Sequence, residues 1–211
     1  MGLLKLLIQD PLTFALVAIP LLFSIILHEV AHGWVAYKMG DPTAKFSDRL
    51  TFNPLSHLDP IGTLALFVAG FGWAKPVPVN FNNLRNQRKG VILVSSAGAL
   101  ANILLAFVAL LLIRLFSGSS SEIAIILVHG VCRYVAYVNI TLAALNLIPI
   151  PPLDGSKILM GILWEKTPYF FSRLEPYGFF IIIGLLFLGI LDPLIGFIGW
   201  VIRMLIAMII P

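Results

Sequence analysis

The sequence predicts an all-α polytopic membrane protein, with about four to six transmembrane helices and a re-entrant or extended segment between the first two core helices. Three observations lead there. Of 211 residues, 59% are apolar and only 11% are charged, whereas a soluble globular chain carries about 25% charged residues. The mean hydropathy is +0.99. Five apolar blocks, 11–37, 58–74, 91–116, 122–150 and 178–210, alternate with loops of Pro, Asn, Gly and charge. This composition excludes a solvated domain, a disordered tail and a nucleic-acid binder, and makes the lipid bilayer the partner of the outer surface. The net charge of +4 reads as basic loops held on the cytoplasmic side. The single Cys132 excludes an intramolecular disulfide and reads as a small buried hydrophobe.

Each block has its own signature. Block 11–37 is too long for a signal-peptide core and has no small-residue cleavage site after it, so it reads as a spanning helix. Pro20 is expected to kink it. Block 58–74 is short and contains Gly62, Gly70 and Gly72, which suits either a short span or a re-entrant segment. The flanking loops decide in favour of re-entry. Lys38, Lys45 and Arg49 precede the block, Lys75, Arg85, Arg88 and Lys89 follow it, and re-entry puts both basic groups on one side. Block 91–116 is a clear span between Arg88-Lys89-Gly90 and a Ser/Gly run. In block 122–150, His129 and Arg133 suggest that the span begins near Tyr134, because a charge in mid-membrane is costly. Block 178–210 is too long for one span and short for two, with a break expected at Asp192-Pro193 and interface anchors at Trp200 and Arg203. The whole chain, 1–211, reads as one integral membrane domain, with a core over about 11–160 and hydrophobic C-terminal helices over about 178–210.

The chemistry is concentrated in His28-Glu29-Val30-Ala31-His32, an H-E-x-x-H pattern. On a helix, positions i and i+4 share a face, so the two imidazoles can bind one Zn²⁺. Glu29 stands beside them as general base toward water. The motif lies ten residues before Lys38, about 15 Å in from that end of the helix. Two His and a Glu at that depth cost free energy unless they are paired or hold a metal.

A catalytic zinc wants a third protein ligand and an open position. The segment from Asn146 to Gly155 holds Pro149, Pro151 and Pro152, which break the helix, and Asp154-Gly155, which turns the chain. Irregular backbone at membrane depth is tolerated where it is buried or lines a cavity. Counting crossings returns Asp154 to the side of His28 and His32, giving a His₂Asp set, and leaves His129 on the opposite side. Asp59-Pro60 reads as a helix start, and His57 as a residue of the interface. Lys75-Pro76-Val77-Pro78-Val79-Asn80-Phe81 cannot be helical in its first half and reads either as an interfacial loop or as an edge for strand addition by an unwound peptide.

These residues resemble the site-2 protease family of intramembrane zinc metalloproteases (peptidase family M50), in particular its small prokaryotic branch without a PDZ domain. The match comprises His28-Glu29-x-x-His32, Asn146-x-x-Pro149 leading to Leu153-Asp154-Gly155, Gly40-Asp41-Pro42-Thr43-Ala44, Asn53-Pro54-x-x-His57-x-Asp59-Pro60-x-Gly62, and Gly72-Trp73-Ala74-Lys75-Pro76-Val77-Pro78-Val79. It covers roughly residues 15–160. Ala97-Gly98-Ala99-x-x-Asn102 departs at Ala99, where the family often has Pro. The resemblance implies a zinc-dependent endopeptidase of the cell membrane that cuts a membrane-protein substrate within or near a transmembrane helix, with its site toward the cytoplasmic side. It implies His28, His32 and Asp154 as zinc ligands and Glu29 as the base. Asn146 would act near the substrate carbonyl, Asn102 would act there or support the structure, and His57 would gate or support the site. A catalytically silent membrane adaptor of the same fold and a metal transporter are the alternatives.

Overall fold

The computed structural model describes residues 3–69, 72–118, 122–164 and 173–210. Among them run α1 (Leu3–Gln9), α2 (Pro11–Lys38), α3 (Thr43–Phe46), α4 (Pro60–Ala69), α5 (Gln87–Phe116), α6 (Glu122–Asn146), α7 (Asp154–Ile162), α8 (Gly178–Phe187) and α9 (Leu191–Ala207). The all-α architecture is as expected, and among the described residues there is no strand, only an isolated bridge. Three helices, α2, α5 and 128–146 of α6, are long and apolar enough to cross a membrane. Taking α8 and α9 as one bent span makes four, the low end of the expected number.

The core is α2, α5 and α6, packed antiparallel in sequence. Ser24 and His28 of α2 meet Asn102 of α5, and His32 meets Val94. Asn102 in turn meets Asn139 of α6. The C-terminal end of α2, the N-terminal end of α5 and the C-terminal end of α6 therefore come together at one end of the bundle. The α5–α6–α9 seam is built from Ala99, Ala106, Ala143 and Ala144 with Ile140, Ile202 and Ile206. Lipid is as apolar as Leu, so such helices associate by close packing, and small residues permit it. The large apolar side chains, such as Leu100, Leu104 and Phe197, face outward, which a bilayer accepts.

Local chemistry sets the ends. Asp10 caps α2 by accepting from Thr13 N–H at 3.1 Å, with Pro11 in the first turn. Asn86 caps α5 by accepting from Lys89 N–H at 3.0 Å, so that helix starts four residues before the expected Val91 and ends at the expected Phe116. Pro20 lies inside α2, which continues through it as one helix. The Ser24 hydroxyl bonds the Pro20 carbonyl at 2.6 Å.

Segment 58–74 folds back on itself. Helix α4 has ten residues, a rise of about 15 Å, half of a bilayer core. Leu58 and Ala74 form an antiparallel bridge, and Lys75 N–H donates to the His57 carbonyl at 2.9 Å. A Cβ on Gly72 would lie 2.1 Å from the Gly62 carbonyl oxygen, so the two arms touch backbone to backbone. Re-entry, not crossing, is the outcome, and both basic loops sit at the same end. Helix α6 runs unbroken from Glu122, and Arg133 on it is exposed. One other expectation needs correction. The C-terminal block is two helices bent by 90°. The break falls at Gly189, whose φ of 67° favours glycine, while Asp192-Pro193 lie in the first turn of α9, where Pro is tolerated.

At the loop-bearing end, Asp41 ties the helix exit to the chain before α5. It is fully buried and accepts from Asn80 N–H and Asn83 Nδ2, each at 2.8 Å, and from Thr43. Burial opposes its charge, but the bonds from Thr43, Asn83 and Asn80 outweigh burial and hold the carboxyl below its usual range. A depressed carboxylate contributes stability that is complete above its unfolded value, about 3.9, and is lost as pH falls through the folded value.

Two predictions follow from these contacts. In a Cys132→Ser background, Leu58→Cys with Ala74→Cys oxidises to an intramolecular disulfide, and both thiols are labelled from the same face of a vesicle; labelling from opposite faces contradicts re-entry. Thermal unfolding of wild type in detergent loses stability as pH drops from about 4 downward, and Asp41→Asn flattens that dependence; parallel curves for the two proteins contradict the role given to Asp41.

Candidate metal centre

The site is built on one face of α2. His28 and His32 are four residues apart, and their rings meet edge to face with centroids 4.6 Å apart. Each ring is steered from behind by α5. His32 Nδ1 lies 2.7 Å from the Val94 carbonyl oxygen, which can only accept, so Nδ1 carries the proton. His28 Nδ1 lies 2.7 Å from Asn102 Oδ1 and donates in the same way. In the neutral rings both Nε2 atoms are therefore bare lone pairs, and both point at the same place.

Asn102 belongs to a buried polar chain through three helices. Its Nδ2 donates to Asn139 Oδ1 at 2.7 Å, and Asn139 Nδ2 donates to Ser24 Oγ at 2.8 Å and to the Val135 carbonyl at 2.8 Å. The Ser24 hydroxyl donates to the Pro20 carbonyl. Every member is satisfied, as polar groups in an apolar bundle must be. Orientation of the imidazole by a partner on its other nitrogen is the usual second layer of a metal site.

Asp154, the first residue of α7, closes the triangle. Its Oδ2 lies 3.1 Å from His28 Nε2 and 3.0 Å from His32 Nε2, and the two Nε2 atoms are 3.0 Å apart. Asp154 Oδ2 is buried and has no hydrogen-bond donor. Three lone-pair atoms held this close repel one another unless a cation lies among them. Ligands at 2.0–2.1 Å around a tetrahedral zinc are about 3.3 Å apart, close to the spacing found. Space for the two rings is supplied by Gly98 of α5. A Cβ there would lie 2.5 Å from His28 Nε2 and 2.5 Å from His32 Nε2 and closer still to His28 Cε1, so any side chain at this position would collide with both rings. The donor set and the open cradle fit a divalent metal, and zinc in particular.

Glu29 faces the same cavity, whose volume is about 260 Å³, and is held by an N–H from the other wall. Val77 donates to Glu29 Oε2 at 2.8 Å. Val77 is the only residue of Pro76-Val77-Pro78 with an N–H to give. The extended stretch before α5 is anchored on both sides of this contact, by Lys75 to His57 and by Asn80 to Asp41.

The sequence-predicted residues divide accordingly. His28, His32, Asp154 and Glu29 are brought together. Asn146 lines the cavity, but its Nδ2 bonds its own helix at the Leu142 carbonyl, 3.0 Å away. Asn102 touches His28 and has both ends of its amide occupied, so it orients a ring and has no free donor for a substrate. His57 is buried, with Nε2 bonded to the Thr51 carbonyl at 2.8 Å, and it braces the re-entrant hairpin away from the cavity lining. Sequence reasoning missed Ser24, Asn139 and Gly98. An available signal was Asn139, an amide inside an apolar span seven residues before Asn146 and so on the same helical face.

Comparison with known proteins agrees with this geometry. The pattern of peptidase family M50 matches residues 119–189, which include Asp154 but not the histidine pair. A Bacillus subtilis protein named as a candidate zinc metalloprotease, YwhC, is 38% identical over 86% of this chain and 83% of its own length. Two mycobacterial proteins, each named as a candidate zinc metalloprotease Rip2, are also similar. That of Mycolicibacterium smegmatis is 31% identical over 82% of this chain and 67% of its own, and that of Mycobacterium tuberculosis H37Rv is 32% identical over 87% and 70%. No solved structure matches.

The cradle and the ring supports can be tested separately. Gly98→Ala removes stoichiometric metal binding while the purified protein keeps its helical circular dichroism, because the added methyl pushes both imidazoles out of their converging arrangement. Asn102→Ala retains metal but weakens it by about 10–100-fold in chelator competition, the usual cost of losing such a support. Unchanged metal content in Gly98→Ala contradicts the placement of the ion.

Proposed function

The chain belongs to peptidase family M50, and on that premise we propose that it is an intramembrane zinc-dependent endopeptidase, cutting a peptide bond within or near a transmembrane segment of a membrane-protein substrate. The observation that carries the reading is the triangle of His28 Nε2, His32 Nε2 and Asp154 Oδ2, all within 3.1 Å of one another, sharing a cavity with the Glu29 carboxylate. His28, His32 and Asp154 are the ligands in this reading. When bound, zinc supplies a Lewis acid that polarises the scissile carbonyl and acidifies water. Glu29 takes a proton from the attacking water and delivers it to the leaving amine. The Val77 N–H holds the Glu29 carboxylate toward the cavity for both transfers.

A peptide bond in an intact helix is shielded, so the substrate enters locally unwound. The extended stretch Lys75–Asn80 is the wall along which it lies. Val77 N–H is committed to Glu29, so pairing along this wall relies on the carbonyls and on Val79. The site opens toward the cytoplasmic side of the cell membrane. Support comes from Lys38, Lys45, Arg49, Lys75, Arg85, Arg88 and Lys89, which all belong to the loops and helix ends at the site's end of the bundle. Cleavage within the bilayer of a regulatory membrane protein is the biological role consistent with these features.

Purified full-length protein is expected to hold about one zinc per chain. His28→Ala and Asp154→Ala lose the zinc and the cleavage of a model transmembrane substrate together. Glu29→Gln keeps the zinc and loses about 10²–10⁴-fold in rate, the range for a general base. Full activity in Glu29→Gln contradicts the assigned role, and transport of metal by a protein that cuts nothing favours a transporter.

A further inference from the structure

A second cavity, about 240 Å³, adjoins the first. The two share Phe81, Pro152 and Lys157 as a common wall. Beyond that wall the second cavity is lined largely by apolar surface, including Val91, Met160 and Trp164. Its volume is below the ~300–1,000 Å³ typical of small-molecule sites. It suits one large side chain.

The position gives the cavity its meaning. Asp154 and Met160 lie at the two ends of the nine-residue helix α7, so the metal triangle and the second cavity are built on one short rigid element. Lys157, one turn after Asp154, stands between them. Its ammonium lies 5.9 Å from the Phe81 ring centroid, and among the described residues it makes no hydrogen bond or ion pair. Arg88 holds the far end of α7 by donating to the Gly161 carbonyl at 3.2 Å and the Ile162 carbonyl at 3.0 Å. An extended peptide projects alternate side chains to opposite faces. With its scissile carbonyl at the metal triangle, a neighbouring residue is the one whose side chain can pass the Phe81–Pro152–Lys157 wall.

We propose that this second cavity is a specificity subsite, which takes a large apolar side chain of the substrate residue flanking the scissile bond. The inference rests on the endopeptidase reading above. Lys157 is a positioning residue at its entrance, donating to a backbone carbonyl of the extended substrate. Most of the cavity surface is apolar, with Asn82, Gln87 and Glu175 also in its lining, which favours Leu, Met or Phe over Ala, and a difference of a few methylenes in such a pocket is worth about tenfold or more in kcat/KM.

The test uses the zinc-loaded full chain and a set of membrane-anchored substrates that differ only in carrying Ala, Leu or Phe on either side of the cleaved bond. Wild type is expected to prefer Leu or Phe on one side by about tenfold or more. Met160→Trp fills the cavity and abolishes that preference, bringing kcat/KM for the Leu and Phe substrates down toward that for the Ala substrate. Trp164→Ala enlarges the cavity and moves the preference toward Phe. A readout independent of turnover uses Glu29→Gln protein with a photoreactive leucine analogue at the preferred position. Cross-links to Met160 or Trp164 are expected. A preference that neither variant changes, or cross-links that avoid both Met160 and Trp164, overturns the subsite and leaves the protease reading intact. No cleavage of any substrate by zinc-replete wild type overturns the protease reading, and the subsite with it.

Discussion

The close approach of α2 and α5 at Gly98 is the constraint on which the site depends. Two imidazoles on α2 can converge on one point only if the facing helix leaves room for both rings. Gly98 does so, and the same helix supplies the Val94 carbonyl and the Asn102 amide that hold the rings from behind. A methyl group at position 98 would collide with both Nε2 atoms. Helix packing and metal geometry are thus one requirement, met by a residue with no side chain.

The buried polar chain from Ser24 through Asn139 and Asn102 to His28 is better understood as orientation than as glue. Hydrogen bonds between membrane helices contribute only about 0.6 kcal/mol on average and rarely more than about 2. The extensive Ala-rich contact of α5, α6 and α9 supplies the packing. What the polar chain does is hold the Nδ1 proton of His28 on the Asn102 side, so that Nε2 stays free to bind. Its members are spread over three helices, so the ring orientation reports whether all three are correctly docked.

The Asp154 carboxylate reaches the histidine pair by a different route. Proline breaks the chain after α6, and α7 begins at Asp154, with Arg88 of α5 holding the other end of that helix. Glu29 is held from the opposite direction, by the stretch that follows the re-entrant hairpin. That stretch is pinned by His57 and Asp41, two residues far from the chemistry. The hairpin and the Asp41 knot therefore act on the reaction through the position of one N–H, that of Val77.

Much of this was legible in the sequence. Composition announces a membrane bundle, the i, i+4 histidines announce a shared metal, and the proline-rich turn before Asp154 announces a third ligand. Re-entry of 58–74 was legible from basic residues on both flanks. These are local signals, set by periodicity, charge and backbone restriction over a few residues. Gly98, Asn139, the Val77–Glu29 bond and the role of Asn102 were decided only by tertiary structure. Each depends on which residues of docked elements come face to face, and the partners are 37 to 115 residues apart in the chain. No local pattern encodes such a pairing, because it follows from how small residues set the distance and register of whole helices. The break expected at Asp192-Pro193, which falls at Gly189 instead, shows the same limit from the other side. Proline forbids one hydrogen bond, but whether a helix bends there is decided by the neighbours that satisfy what is left open.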